Sequence, residues 1–284
     1  MKKLFDYLRF LHVNRERFYQ EYSRERELKT LMNAKKITTF FQPILSLGHG
    51  ATMGFEVLNR PDRSPHFPTT EKFYDYVGSS RAVFGIEQFL RNLSLERYSR
   101  QIETSPQFQG KLVFLNIQPQ VLADPSYRSG KTLELLDRYG LSPDQIVLEL
   151  TEKEAVIDYE QFEKIVGHYR RQGFRIAVDD AGTGYNSLKT LGYLKPEFIK
   201  IDKSLIRKIE EHPTQQHLVE LLLEFALQSE TLVIAEGIET ISELRFLQNL
   251  GVQLGQGYAL GHPEQELVEG KLPLSKPIIR KQLS

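Results

Sequence analysis

Eight short apolar or β-branched runs alternate with helical patterns along the 284-residue chain, and this alternation constrains the fold more than any other feature. Strands separated by helices are typical of a parallel sheet. Eight of them in a chain of this length favour a (β/α)8 barrel, an α/β TIM-like fold, over an open sheet, although periodicity alone does not show closure. The runs are residues 38–45, 51–58, 112–117, 146–150, 174–179, 198–202, 232–236 and 255–260.

Helical periodicity is clear in two of the intervening segments. Apolar residues recur there with the spacing i, i+3, i+4, i+7, which predicts amphipathic helices. Thr240 and Glu243 form a capping-box pattern that predicts the start of another helix, which Gly251 ends. The two apolar stripes are Phe162, Ile165, Val166 and Tyr169, and Leu218, Leu221, Leu222 and Phe225.

Composition excludes several classes of protein. The formal net charge is +0, which gives no overall attraction to nucleic acid or membranes. The absence of cysteine excludes disulfides, thiolate nucleophiles and cysteine-ligated zinc. The start of the chain carries too many charges for a signal-peptide core, and no apolar run approaches membrane-spanning length. We therefore expect a soluble, cytoplasmic protein that binds no nucleic-acid polymer.

Polar residues stand near the carboxyl ends of seven predicted strands. Side chains alternate across a strand, so Asn116 shares a face with Phe114, and Lys200 shares one with Phe198. In a barrel such groups converge at the top of the interior, where this fold places its active sites. The seven residues are Glu56, Asn116, Glu149, Asp179, Lys200, Glu236 and Gln256.

If the strand ends converge in this way, up to five carboxylates lie together at the top of the barrel: those of Glu56, Glu149, Asp179, Asp180 and Glu236. Two like charges about 4 Å apart cost about 4 kcal/mol at an effective dielectric constant near 20, and divalent cations relieve this repulsion. Oxygen ligands without histidine or cysteine suit hard ions such as Mg²⁺ or Mn²⁺, and adjacent Asp179 and Asp180 could serve two of them. A two-metal site favours phosphodiester hydrolysis.

Each feature also has a plainer interpretation when it is taken alone. Asp179 and Asp180 are compatible with a helix cap followed by a turn residue. Glu56 could be a solvated loop acid, Lys200 a surface lysine, and Arg60 the partner of a nearby carboxylate. The seven histidines show no i, i+4 metal pair. Only the ordered set favours the catalytic interpretation.

A series of short motifs runs in a fixed order through residues 28–263. In sequence order they are Phe41-Gln42-Pro43-Ile44, Glu56-Val57-Leu58, Leu115-Asn116-Ile117, Leu148-Glu149-Leu150-Thr151-Glu152, Asp179-Asp180, Gly182-Thr183-Gly184-Tyr185, Lys200-Ile201-Asp202, Ala235-Glu236-Gly237-Ile238-Glu239-Thr240 and Gln256-Gly257-Tyr258. This order resembles the EAL-domain family of bacterial cyclic-di-GMP phosphodiesterases, whose Glu-Ala-Leu motif stands here as Glu56-Val57-Leu58. The resemblance implies an EAL-type barrel that hydrolyses cyclic di-GMP to linear pGpG.

The resemblance also implies a role for each matched position. Lys200 would orient the attacking water, Glu236 could also accept its proton, and Gln256 would complete the network around the water. One metal, Mg²⁺ or Mn²⁺, would be held by Glu56, Asn116, Glu149 and Asp179, and a second by Asp179, Asp180 and Glu236.

Substrate contacts and supporting residues follow from the same resemblance. Arg60 would bind a substrate phosphate, as a guanidinium does well. Glu239 would support the site, and Glu152 would anchor the loop of residues 181–187, which in this family couples metal binding to dimerisation. A homodimer with cyclic di-GMP as its ligand is therefore expected. Further contacts to the substrate would come from Gln42, Leu58 and Asp202.

Three departures from the family pattern leave alternatives open. Val57 replaces the alanine of the motif, Ala181 stands where the family usually has phenylalanine, and the segment 61–85 differs. The chain could instead be a catalytically silent cyclic-di-GMP receptor that signals through a partner or dimer surface, or a barrel hydrolase for another phosphodiester. Receptors of this fold commonly lose an acidic ligand or the lysine. Retention of Lys200 and of every ligand favours the enzyme.

We predict three parts in the chain: an N-terminal helical extension (1–23), the phosphodiesterase barrel (24–265) and a peripheral C-terminal tail (266–284). Leu4, Leu8 and Leu11 give the extension an apolar side, and arginine and glutamate are interspersed. This mixture of charges favours a helix that packs on the barrel, contacts a second copy or joins a sensory or regulatory domain or partner over one that lies on a membrane.

Overall fold

The computed structural model of the chain describes residues 5, 9–10, 12–80, 82–118, 120–121, 124–151, 159–182 and 187–273. Its strands close into a barrel in chain order, which confirms the predicted (β/α)8 TIM-like fold. The strands are β1 (Ile37–Ser46), β2 (Thr52–Pro61), β3 (Leu112–Asn116), β4 (Ile146–Thr151), β5 (Arg175–Ala181), β6 (Phe198–Ile201), β7 (Leu232–Ala235) and β8 (Leu254–Gly255).

The first strand departs from the predicted parallel sheet. β1 runs antiparallel to both β2 and β8, whereas the successive pairs from β2 to β8 are parallel. The link of residues 47–51 is far shorter than a parallel crossover requires, so a hairpin forms instead. As a result Ile37, the first residue of β1, pairs with Pro61 at the carboxyl end of β2.

The eighth strand is shorter than the predicted run 255–260, so that prediction is wrong in extent. Only Leu254 and Gly255 pair with β7 and with β1. Soon after them Gly257 has a φ of 156°, and a Cβ there would lie 2.2 Å from the carbonyl oxygen of Ile238. The backbone turns out of the sheet at this glycine, which no larger residue could replace without displacing the chain.

Helices cover the outside of the barrel. The apolar faces of the helices and the outward faces of the strands together form the largest core cluster. Among the described helices, none combines the length and the hydropathy that crossing a lipid bilayer requires. The helices are α1 (Arg15–Leu31), α2 (Thr70–Ser79), α3 (Val83–Thr104), α4 (Lys131–Arg138), α5 (Tyr159–Arg171), α6 (Ser187–Leu194), α7 (Lys203–Ile206), α8 (Pro213–Gln228) and α9 (Ile241–Leu250), with 3₁₀ turns at Ala34–Lys36, Pro106–Phe108, Pro143–Gln145 and Ile209–Glu211.

The predicted start and end of α9 are confirmed. The side chain of Thr240 accepts a hydrogen bond from the N–H of Glu243, and Glu243 returns the bond to the N–H of Thr240. Gly251 ends the helix with a φ of 91°. On α5, Val166 and Tyr169 of the predicted stripe are buried, whereas the side chains of the other two stripe residues lie outside the described ones.

The apolar stripe predicted for α8 is only partly buried: Leu222 is buried and Phe225 packs against the core. Leu218 and Leu221 are 42% and 51% exposed, whereas Val219, Leu222 and Ala226 are buried against the barrel. This helix is apolar on more than one side. Spacing alone therefore does not tell which side faces the core.

The N-terminal helix α1 packs on the barrel through its second half. Leu28 and Leu31 are buried in a satellite cluster that includes Phe67, Phe73 and Leu90. The helix runs without a break across residues 23 and 24. The division of the chain at 1–23, 24–265 and 266–284 stays a prediction.

A layer of apolar side chains fills the barrel interior below the predicted site. Phe114, Val147, Ala177, Phe198 and Ile234 belong to this layer, and each is at most 1% exposed. On each of these strands a polar residue follows two positions later. Strand alternation therefore places the polar side chains directly above the layer.

Candidate active site

Strand pairing brings the predicted polar residues to one end of the barrel. Asn116 pairs with Glu149 across β3 and β4, and Gln42 pairs with Glu56 across β1 and β2. Glu56, Glu149 and Lys200 are all buried. Charged groups so far from water require opposite charges or hydrogen bonds nearby.

The ammonium group of Lys200 lies at the centre of the polar cluster. Its Nζ is 2.8 Å from Oε1 of Glu149 and 2.8 Å from Oε1 of Glu236. Oε1 of Glu56 and Oδ1 of Asp179 are 3.5 and 3.4 Å from the same nitrogen. Four carboxylates from different parts of the barrel thus surround one cation, whose side chain is 1% exposed.

The acids outnumber this cation, and Glu236 and Glu149 have raised pKa values. Burial, opposed by Lys200 and reinforced by Asp179, raises the pKa of Glu236 to about 8. Burial also raises the pKa of Glu149 well above its usual range, although Lys200 opposes it. For Lys200, burial lowers the pKa, but Asp179 and the other carboxylates outweigh burial and raise it well above its usual range. The lysine therefore stays charged while Glu236 can take up a proton.

Asp179, Asp180 and Glu236 form a group that can hold a metal ion. One carboxylate oxygen of each lies within 4.8 Å of the others. Neighbouring strand residues normally point to opposite faces, but Asp180 has a left-handed φ of 57°, and pairing with β6 is irregular between Val178 and Ala181. This irregularity lets consecutive acids reach one group. Three carboxylates without nitrogen or sulfur ligands suit a hard divalent cation.

Gln256 connects the cluster to β1. Its Nε2 donates to Oε2 of Glu56 at 2.7 Å and to Oε1 of Gln42 at 3.0 Å. Nε2 of Gln42 donates in turn to the carbonyl oxygen of Gly261 at 3.1 Å. Nδ2 of Asn116 lies 3.5 Å from Oε1 of Glu56, at the limit of a hydrogen bond. Glu56 is thus held by side-chain amides as well as by Lys200.

Two of the predicted residues have partners of their own beside the cluster. Nη2 of Arg207 donates to Oε1 of Glu239 at 2.6 Å. Oδ1 of Asp202 accepts a hydrogen bond from the N–H of Ser204 at 2.9 Å and caps α7. The predicted loop anchor, Glu152, lies outside the described residues, as do residues 183–186 of the loop.

A cavity of about 670 Å³ opens beside the polar cluster and shares Asn116 with it. Leu58 and Arg60, two predicted substrate contacts, line the cavity. Cζ of Arg60 lies 4.9 Å from the centroid of the Phe40 ring, so the guanidinium is supported by an aromatic face.

The cavity wall also contains a buried ion pair that sequence reasoning missed. Nη2 of Arg91 donates to Oε2 of Glu87 at 3.0 Å, and both side chains line the cavity. Their only signal in the sequence is an i, i+4 pair of opposite charges on a helix. Such pairs are common on exposed helix faces, so the spacing does not single this one out.

The EAL domain family model matches residues 25–263, which include every member of this cluster. The chain belongs to the EAL domain family. Among curated relatives, the Escherichia coli protein named probable cyclic di-GMP phosphodiesterase PdeG is 27% identical over 258 residues, which cover 90% of this chain and 50% of the relative. Probable cyclic di-GMP phosphodiesterase PdeA from the same organism is 29% identical over 239 residues, covering 84% of this chain and 32% of the relative. The chain thus spans half or less of these two relatives.

Solved structures of EAL proteins share the barrel. Klebsiella pneumoniae BlrP1 in a manganese and cyclic di-GMP complex aligns with a TM-score of 0.74 and 26% identity, covering 85% of this chain and 59% of that chain. A standalone EAL protein from Vibrio cholerae, in its cyclic di-GMP-bound form, aligns with a TM-score of 0.71 and 27% identity, covering 83% of this chain and 95% of that chain. The predicted EAL-type barrel is confirmed.

Proposed function

We propose that this EAL domain is a metal-dependent phosphodiesterase that hydrolyses cyclic di-GMP to linear pGpG and so lowers the concentration of this second messenger. The observation that carries the proposal is the cluster in which Lys200 contacts the carboxylates of Glu56, Glu149, Asp179 and Glu236. The manganese and cyclic di-GMP found together in the BlrP1 complex support both the substrate and the kind of cofactor.

The residues of the cluster suit two divalent cations, Mg²⁺ or Mn²⁺. The cluster holds more carboxylates than Lys200 can balance, and burial, reinforced by Asp179 and Glu56, raises the pKa of Glu236 to about 8 although Lys200 opposes it. Bound cations would supply the positive charge that activates a water molecule and neutralises a phosphoryl oxygen. The proposed ligand sets are Glu56, Asn116, Glu149 and Asp179 for one ion, and Asp179, Asp180 and Glu236 for the other.

Lys200 would orient the attacking water, and Glu236 would deprotonate it. The ammonium group of Lys200 is a donor only and would orient the water through the oxygen lone pairs. Glu236 would accept a proton from that water. The water oxygen then bonds to phosphorus, and the bond from phosphorus to the ribose oxygen breaks. One proton of the water ends on the departing oxygen, and the other stays with the new phosphate monoester.

The cavity of about 670 Å³ would hold one guanine nucleotide of the substrate. Arg60 would bind a phosphate, and its stacking on Phe40 limits the orientations of the guanidinium. The ion pair of Glu87 and Arg91, which lines the cavity, would contact the guanine base. Gln42, Leu58 and Asp202 are proposed as further substrate contacts.

A silent receptor for cyclic di-GMP is the second candidate function. The observation in its favour is Ala181, which is fully buried where the family usually has phenylalanine. The change removes an aromatic side chain immediately before the loop that follows β5. The cluster around Lys200 is complete despite this change, and we favour the enzyme for that reason.

A homodimer in the cytoplasm is part of the same proposal. Leu218 and Leu221 on α8 and Tyr193 on α6 are exposed apolar side chains that a second copy would cover. Glu239 would support the site through Arg207, and Glu152 would anchor the loop after β5. A sensory or regulatory domain or partner would act through α1.

The first experiment is incubation of the purified chain with cyclic di-GMP and Mg²⁺ or Mn²⁺, with products followed by chromatography. Accumulation of pGpG that a chelator abolishes would support the enzyme. Glu56→Ala should abolish turnover, whereas Glu103→Ala, which removes an exposed acid at the end of α3, should not. Binding of cyclic di-GMP without product would favour the receptor, and neither binding nor product would refute both functions.

A further inference from the structure

The segment between β2 and α2 is fastened to the N-terminal helix. The backbone N–H of His66 donates to Oε1 of Glu27 at 2.9 Å, and Nε2 of His66 lies 2.9 Å from Oγ of Ser23. Ser23 and Glu27 are one turn apart on α1. The side chains of His66 and Glu27 are each 19% exposed, so water competes little for these bonds. His66 lies within the stretch 61–85, where this chain departs from the family pattern.

A compact turn presents His66 to α1. The backbones of Ser64 and Phe67 exchange two hydrogen bonds of 3.1 Å each, which close the turn on both sides. Phe67 is 2% exposed and packs edge-on against the ring of Phe73. Leu28 of α1 belongs to the same apolar cluster. The turn is therefore joined to α1 by polar bonds and by a shared core.

The same segment forms one wall of the proposed substrate cavity. Arg60, Pro61 and Arg63 precede the turn, Thr69 and Thr70 follow it, and all five line the cavity. Since the turn between them is closed by its own hydrogen bonds, a displacement of the turn would shift both edges of this wall together.

We infer that Ser23, Glu27 and His66 are positioning residues through which α1 sets the shape of the substrate cavity. The inference rests on the proposed function, because it takes the cavity to bind cyclic di-GMP. The bond to the Glu27 carboxylate is charge-assisted and hence stronger than a neutral one. Tyr19 and Tyr22, on the first half of α1, are 66% and 62% exposed, so the face of the helix that carries them stands in water. A movement of α1 would therefore displace His66, and with it Arg63 in the cavity wall, without rearranging the strands.

Three variants of α1 test this role. Glu27→Ala removes the acceptor for the His66 N–H, whereas Glu27→Gln keeps an oxygen in the same place and is the conservative rescue. Glu25→Ala is the matched control, because Glu25 pairs with exposed Lys29 at 3.1 Å on the same helix. The measurements are KM and kcat for cyclic di-GMP with Mn²⁺, amide hydrogen exchange over residues 61–70, and urea unfolding.

The expected result for Glu27→Ala is a KM raised roughly fivefold to tenfold, with kcat within about twofold of the wild type. Amide exchange in residues 61–70 should accelerate, and urea unfolding should stay cooperative. Glu27→Gln should restore most of the KM, and Glu25→Ala should match the wild type throughout. This split between KM and kcat separates positioning of the substrate wall from a general loss of structure.

The inference and the proposed function fail in different ways. Unchanged KM and unchanged exchange in Glu27→Ala would overturn the inference while leaving the phosphodiesterase intact. A Glu27→Ala variant that loses kcat and no longer unfolds cooperatively would also overturn it, since the contact would then be only structural. A wild-type chain that neither binds nor hydrolyses cyclic di-GMP would refute the proposed function, and the inference with it.

Discussion

Binding of a divalent cation should release a proton from Glu236. In the metal-free site this carboxyl has a pKa of about 8 instead of 4.5, because burial and the charges of Asp179 and Glu56 outweigh Lys200. A cation that binds the carboxylate must displace this proton. Acidification from pH 8 to pH 6 should therefore weaken cation binding, even though the protein stays folded.

The size of the effect follows from the same pKa. At pH 8 about half of the Glu236 side chains carry the proton, and at pH 6 about 99% do, which makes the apparent dissociation constant roughly 50-fold larger. This ratio corresponds to about 2.3 kcal/mol of binding free energy. Glu149 has a raised pKa as well, so its proton can only steepen the dependence on pH.

Isothermal titration calorimetry with Mn²⁺ at pH 6, 7 and 8 tests this directly. Repetition in two buffers of different ionisation enthalpy counts the protons released. In Glu236→Gln the amide has no proton to release in this range, so the dependence should shrink, whereas Glu103→Gln should behave as the wild type. Equal affinity at pH 6 and pH 8, with no proton released, would refute the assignment of a protonated Glu236 to the metal-free site.

Three further predictions concern stability and turnover. Lys200→Ala should abolish turnover. With a chelator present it should also lower the free energy of unfolding by about 3–5 kcal/mol, because the buried carboxylates lose the ammonium group that balances them. Urea titration with and without Mn²⁺ checks this. Gly54→Ala should cost about 1–3 kcal/mol, since its Cβ would lie 2.5 Å from the Leu112 carbonyl oxygen. Gly85→Ala, at a helical position where a Cβ meets nothing within 4 Å, should instead stabilise the protein by up to about 1 kcal/mol; thermal melts compare the two variants. Metal-free protein should lose stability from pH 5 to pH 8, because the raised pKa of Glu236 makes the folded state bind the proton more tightly than the unfolded state does. Equal free energies of unfolding at pH 5 and pH 8, measured by urea titration, would contradict this.

Strand alternation predicted most of the polar cluster correctly, because the direction of a side chain on a strand is a local property. Lys200 follows Phe198 by two positions and lies on the same inward face, among the acids of other strands. Asp180 could not be placed in this way. Its direction depends on a left-handed backbone and on irregular pairing between β5 and β6, and neither leaves a pattern in the sequence.

Other errors arose where tertiary context decides between local alternatives. Leu218 and Leu221 match a helical stripe as well as Val219 and Leu222 do, and only packing against the barrel separates the two faces. The apolar run 255–260 resembles a strand, yet the close approach of Gly257 to Ile238 ends the pairing early. The reversal of β1, by contrast, was readable from the short link of residues 47–51.

The reversal of β1 also decides where other proteins can be attached to this barrel. Ile37 enters the sheet beside Pro61, at the rim that carries the acidic cluster. After the last strand the chain pairs Glu264 with Phe41, and then descends until Gly270 donates to Thr52 and Leu272 lies against Gly50 at the opposite end. The segment that leads into β1 therefore enters the barrel at the rim where the proposed nucleotide site lies. A fluorescent reporter joined after residue 272 would leave the barrel at the opposite end, and would be the safer choice for following this domain in cells.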